Sequence, residues 1–151
     1  GSILGLEMTH GFDNHGSHYD GEGRYRNWWD AATYDKFRQR TECVAEEFGS
    51  FEFQPGEMVD GNLTLGEDIA DNGGLRMAYR AYHDGYGDSD PVGNRLFFLS
   101  FAQMWCARNE PGVRHVQGVH PPKRWRVIGT LQGSEAFADA YSCPKGSPMN
   151  P

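Results

Sequence analysis

Gly5-Leu6-Glu7-Met8-Thr9-His10-Gly11-Phe12-Asp13 comes one histidine short of a metal-binding helix. The complete pattern is H-E-x-x-H. Its two histidines, four residues apart on one helix face, hold a zinc ion, and its glutamate is the general base on the metal-bound water. Glu7 and His10 fill the second and fifth places here. Leu6 fills the first, and a leucine has no lone pair to give a metal. A glutamate three residues ahead of a histidine also describes many solvated helix faces, so other parts of the chain must decide.

The chain has 151 residues, enough for one domain with a real core. Its formal net charge is −7, and no basic stripe accompanies it, which argues against nucleic acid as a partner. Mean hydropathy is −0.69. No apolar run approaches the ~20 residues of a membrane span, so this segment makes no membrane contact of its own. No signal peptide is visible, and the abrupt start at Gly1 and end at Pro151 suggest a piece of something longer. Cys43, Cys106 and Cys143 make an odd count, which in a secreted chain points to partners elsewhere and in a cytosolic one to buried thiols. Asn62-Leu63-Thr64 is an N-glycosylation sequon, meaningful only in a secreted context.

Taken in order, the pattern is mainly α. Residues 1–10 read as the end of a helix stopped by Gly11. A Gly/Asp/Asn/His-rich loop follows over 11–27, with His15 and His18 as loop histidines. A helix capped by Asp30 or Thr33 carries the core stripe Tyr34, Phe37, Thr41, Val44 and Phe48 and ends at Gly49. Residues 50–64 read as a linker, with Pro55-Gly56 and Asp60-Gly61 as turns. The next helix starts near Thr64 or Leu65. Its Glu67 and Asp71 share a face, and Gly73-Gly74 inside it implies close packing against another helix. Residues 84–94 read as a loop, and the apolar run Leu96–Ala107 as a helix buried all round. Residues 108–122 are loop-like, with Pro111-Gly112 and His120-Pro121-Pro122, before two short helices at 124–131 and 135–141.

Set together, GLEMTHGFD at 5–13, RNWW at 26–29, TLGEDIADNGGLRMAYRAY at 64–82, LFFLSFAQMWC at 96–106, RVIGTL at 126–131 and CPKGSPMNP at 143–151 resemble the neprilysin and endothelin-converting-enzyme family of zinc metalloendopeptidases. The resemblance implies the C-terminal helical part of a thermolysin-like (zincin) catalytic domain over 1–151, with the rest of the domain and a membrane anchor N-terminal to it. It implies an extracellular place, secreted or as the ectodomain of a type II membrane protein, and peptides cut on the amino side of hydrophobic residues. Glu7 matches the general base, and His10 and Glu67 match zinc ligands. Asp71 matches the carboxylate that orients a ligand histidine, His120 and Arg126 the oxyanion and substrate-backbone grip, and Met104 and Trp105 the hydrophobic pocket. On their own those last four residues read as a His-Pro turn, a surface cation and plain core. The resemblance also implies that all three cysteines pair outside the chain, Cys43 with a following tail and the other two with the missing N-terminal segment.

Two departures bear on function. Asp68 stands where the family usually has Asn, a change read as tolerable at a surface. Leu6 removes the first zinc ligand and leaves Asp71 without the histidine it would orient, a buried carboxylate that needs another partner. Only His15 and His18 lie near enough to substitute, and both follow the helix end. The expected function is therefore a peptidase fold that is inactive or severely impaired in this form. The alternatives are a non-catalytic relative that binds peptides or proteins, and an active peptidase in which Leu6 is not the native residue.

Overall fold

The computed structural model describes residues 1–87, 90–108 and 115–151. Among them six α-helices carry the fold: α1 (Ser2–Thr9), α2 (Ala31–Gly49), α3 (Gly61–Tyr86), α4 (Pro91–Met104), α5 (Lys123–Gln132) and α6 (Glu135–Tyr141). Two short strands, β1 (Glu52–Gln54) and β2 (Glu57–Met58), pair antiparallel between α2 and α3. The linker expected at 50–64 is thus a hairpin. Gly56, at φ 79°, makes the turn, and the strands are too short to show alternation in the sequence.

Several helix boundaries follow capping carboxylates. Asp30 accepts from the Thr33 amide at the start of α2, and Asp60 from the Asn62 and Leu63 amides at the start of α3. Asp60-Gly61, read as a turn, is therefore a cap, and α3 begins at Gly61 rather than at Thr64 or Leu65. It also continues through Asp84-Gly85 to end at Gly87, whose φ is 83°. Asp90 caps α4, with Pro91 in its first turn, so that helix starts five residues before Leu96. The α1 helix is followed at once by a 3-10 turn, His10–Phe12, so Gly11 is not its stop. The Pro111-Gly112 turn lies outside the described residues.

The core is built where α3, α4 and α5 meet, around Leu75, Phe98, Phe101 and Leu131, with Tyr79, Val127 and Phe137 packed against it. The α4 helix is not buried all round. Phe98 and Phe101 are enclosed, whereas Leu96, Leu99 and Met104 are 54%, 47% and 42% exposed. Of the α2 stripe only Phe48 is fully buried, and Tyr34, Phe37, Thr41 and Val44 are half-buried.

Close packing of α1 on α3 fixes the position of the motif. A Cβ on Gly74 would lie 2.5 Å from the Ser2 carbonyl oxygen and 2.7 Å from the Leu6 nitrogen, and one on Gly73 would lie 2.3 Å from Thr9 Oγ1. No side chain fits at Gly74 without the α1 backbone moving. The close helix contact expected from Gly73-Gly74 is therefore present, and its partner is the motif helix.

Candidate metal and catalytic site

The α1 and α3 helices run antiparallel. Along α1, Gly1 meets Ala78, Gly5 and Leu6 meet Gly74, and His10 reaches Glu67. Glu67, Asp71 and Gly74 are spaced i, i+4, i+7 and so form one face of α3. The His10 Nε2 lies 3.5 Å from Glu67 Oε1. Two ligands each about 2.0–2.1 Å from a tetrahedral ion are about 3.4 Å apart, so this pair has the separation that a shared zinc requires.

His10 is aimed by a residue to which the motif assigned no role. Asp13 is buried, and its Oδ2 accepts from His10 Nδ1 at 2.7 Å. Its Oδ1 accepts from the His15 and Gly16 amides, both at 2.7 Å. The carboxylate is thus locked by the loop, and it holds the imidazole with Nε2 toward Glu67. The sequence signal was an aspartate three residues past the histidine in an Asx-turn setting, and it identifies neither partner by itself.

Arg126, from α5, closes the other side. Its Nε and Nη2 form a bidentate pair with Asp71 at 2.6 and 2.9 Å, and Nη2 also donates to Glu67 Oε2 at 3.0 Å. Its guanidinium carbon lies 4.0 Å from the centre of the Trp105 ring. Asp71 therefore has a partner, and that partner is a cation rather than a histidine. Burial pushes the Asp71 carboxyl up, with the hydrogen bonds and charge of Arg126 pulling against it. His120 completes the group, its Nε2 3.3 Å from Glu67 Oε1.

Five of the eight residues singled out from the sequence, His10, Glu67, Asp71, His120 and Arg126, thus form one connected cluster, with Trp105 stacked on it. Glu7 lies exposed on α1, and no hydrogen bond or ion pair ties it to the cluster among the described residues. Met104 receives a weak hydrogen bond from Ser2 Oγ at 3.8 Å. Trp105 lines a cleft of about 970 Å³ with His120, Arg126 and Val127 on its walls, and Met104 does not. His15 and His18 do not substitute for the lost ligand. Only the backbone amide of His15 contacts the site, and the His18 ring packs on Tyr25.

The donors present do not complete a zinc shell. His10 and Glu67 fit one ion, Leu6 is 5% exposed and offers nothing, and no group of three His, Cys, Asp or Glu side chains is arranged to hold a metal among the described residues.

Asp68 corrects an expectation. It is 0% exposed, with Oδ2 accepting from Thr64 Oγ1 at 2.8 Å and Oδ1 unpartnered. Burial raises its pKa from 3.8 to about 8, with the Thr64 hydrogen bond opposing the shift. At neutral pH the acid is largely protonated, so it presents an O–H where asparagine would present an N–H. Between pH 4 and 8 the folded state holds the extra proton, and stability falls as pH rises. Asp68→Asn is expected to remove that slope. Its advantage in denaturant unfolding should be small at pH 4 and grow to several kcal/mol by pH 8, at about 1.4 kcal/mol per unit of pKa.

The helix pair, with a histidine and a glutamate at metal-ligand spacing beside the cleft, has the fold of the helical part of a zincin-type metallopeptidase domain. The chain belongs to peptidase family M13, whose sequence profile matches residues 1–151. It is 44% identical over 163 aligned residues to endothelin-converting enzyme 1 of Cavia porcellus, and 40% over 165 to membrane metallo-endopeptidase-like 1 of Mus musculus. Each alignment covers 100% of this chain and 22% of the relative, so the chain spans about a fifth of those proteins. Among solved structures, PepO of Lactobacillus rhamnosis superposes with a TM-score of 0.85 at 32% identity, over 99% of this chain and 24% of that one. The Mycobacterium tuberculosis zinc metalloprotease ZMP1, in complex with an inhibitor, gives 0.83 at 28%, over 98% and 25%.

Proposed function

We propose that this protein is a neprilysin-like zinc endopeptidase in form, built to take peptides with a hydrophobic residue after the scissile bond, and disabled or severely impaired by Leu6. One observation carries the reading: Arg126 is bound by both Glu67 and Asp71, while the α1 residue packed on the same face of α3, at Gly74, is a leucine with no donor for a metal. With a third ligand at position 6, His10 and Glu67 would hold a zinc ion, which would supply Lewis-acid chemistry. Glu7, exposed on the same helix, would serve as a general base. His120, with an exposed imidazole, is the donor for a developing oxyanion, and Trp105 offers the apolar wall of the pocket. Arg126 is already bound to two carboxylates, so its contribution to substrate is mainly to hold Trp105 and Glu67 in place.

The same observation favours a second reading, a relative that binds peptides or proteins without cutting them. An extracellular location fits both. The thiols of Cys43, Cys106 and Cys143 are free, the first two exposed, which supports bonds to cysteines outside this chain. Asn62 lies exposed on the first turn of α3, where a glycan has room. No helix is long and apolar enough to cross a membrane among the described residues.

Metal analysis and a cleavage assay on the full-length protein test this. The expected outcome is far less than one zinc per chain, no turnover of a peptide with a central Leu or Phe, and measurable binding of that peptide. One bound zinc together with turnover would overturn it.

A further inference from the structure

His120 reaches Glu67 from a stretch with little else to hold it. Of residues 115–120 only Gln117 is half-buried; the others are exposed, Val116 by 94%. The His120 side chain is itself 62% exposed, yet its Nε2 stands 3.3 Å from Glu67 Oε1. An imidazole on exposed backbone keeps such a position only if the backbone is fixed close by, because each ungripped residue adds conformational freedom of its own.

Gln117 supplies the fixing. Its Oε1 accepts from the Asp60 amide at 2.7 Å. Its Nε2 donates to the Met58 carbonyl at 2.7 Å and to Glu57 Oε1 at 3.0 Å. One side-chain amide thus uses its acceptor and both donors to tie the segment to β2 and to the cap of α3, the helix that carries Glu67. Beside it, Gln54 and His115 exchange a reciprocal pair of longer bonds at 3.4 Å. Past His120, Trp125 Nε1 donates to the Glu52 carbonyl at 2.6 Å, and the indole stacks on Phe51 with ring centres 4.3 Å apart. Both flanks of His120 are therefore fastened to the β1–β2 hairpin, with Pro121-Pro122 restricting the backbone between them. Trp125 is also held by its own helix, α5, so Gln117 is the fastening on which the segment depends.

We propose that Gln117 is the positioning residue for His120: by joining its segment to the β1–β2 hairpin and the α3 cap, it sets the imidazole beside Glu67. Gln117 acts on substrate only through that ring. The use made of the ring rests on the reading of His120 as a donor given above; the anchoring does not.

Carbethoxylation of the full-length protein with diethyl pyrocarbonate, followed by mass spectrometry, reads how firmly His120 is held, with His15 and His18 as references in the same chain. Gln117→Leu keeps much of the bulk and removes all three side-chain bonds. His120 should then react roughly 3-fold or more faster while His15 and His18 keep their rates. Gln117→Glu keeps the acceptor for the Asp60 amide but sets a carboxylate against Glu57 and the Met58 carbonyl, and should release His120 likewise. Adding Glu57→Gln returns a donor to that pair and should bring the rate part of the way back. In the Leu6→His protein, Gln117→Leu should lower kcat by on the order of 10-fold with KM held, and should add nothing to His120→Ala. The labelling decides the proposal whether or not Leu6→His turns over. An unchanged His120 rate in both variants, or a rise shared by all three histidines, would overturn it. A rise confined to His120, with turnover in the Leu6→His protein undiminished, would keep the anchor and overturn the donor role given to His120.

Discussion

Leu6→His in the full-length protein is expected to produce zinc binding and peptide cleavage together. The substitution puts a second imidazole one helical turn before His10 on α1, opposite the α3 face that carries Asp71 and Glu67. Two donors, His10 and Glu67, already stand 3.5 Å apart, so the third joins an existing pair. Asp71 has acceptor positions left for a new ring, since a carboxylate has about four and Arg126 uses two of them. A structural zinc site of four ligands is worth about 10–16 kcal/mol, so one recovered ligand should tighten zinc by on the order of 100-fold or more. Turnover should rise from the assay floor. Adding Glu7→Gln should abolish turnover while leaving zinc bound, because the proposed role of Glu7 is the base and not a ligand. Zinc without cleavage in Leu6→His would mean that more of the machinery has decayed, and the binding-only reading would then stand. No gain in zinc affinity would mean that residue 6 does not face the donors.

Much of this site was legible because its parts sit at spacings the helix dictates. Glu67 and Asp71 are four apart, His10 follows Glu7 by three, and Gly73-Gly74 marked the face on which another helix must lie. The sequence could not show Asp13 as the partner of His10, because that contact depends on a loop folding back through two amides. Asp68 was misjudged because a carboxylate on a long helix looks solvated until the neighbouring α-helices are placed. The α4 face was misjudged for the opposite reason. Leu96, Leu99 and Met104 are apolar yet stand 54%, 47% and 42% exposed, and composition alone does not separate a buried face from an uncovered one. The role of Arg126 was legible only in part. On its own it read as a surface cation and the resemblance implied a grip on substrate, whereas its position makes it the counter-ion for two acids.

That position gives Arg126→Met an effect that should exceed any other single change in the cluster without altering the metal ligands. Arg126 and Asp71 are both buried, and the pair is bidentate. Removing the cation leaves the Asp71 and Glu67 carboxylates close together on one face of α3 with only the imidazoles of His10 and His120 nearby. Breaking one partner of a buried pair generally costs about 3–5 kcal/mol, and losing the stacking on Trp105 adds to that. Denaturant unfolding should therefore show Arg126→Met destabilised by about that amount near pH 7. The deficit should shrink at low pH, where protonation of Asp71, whose carboxyl burial already pushes up, removes its need for a cation. Arg126→Lys keeps the charge but not the two-pronged geometry, and should fall between the two. Combining Arg126→Met with Asp71→Asn should recover a large part of the loss, since the uncompensated charge is removed with its partner. A destabilisation below about 1 kcal/mol, or one that is the same at pH 4 and pH 7, would show that Arg126 is not what neutralises this face. The leucine at position 6 would then have left Asp71 to water or to a proton instead.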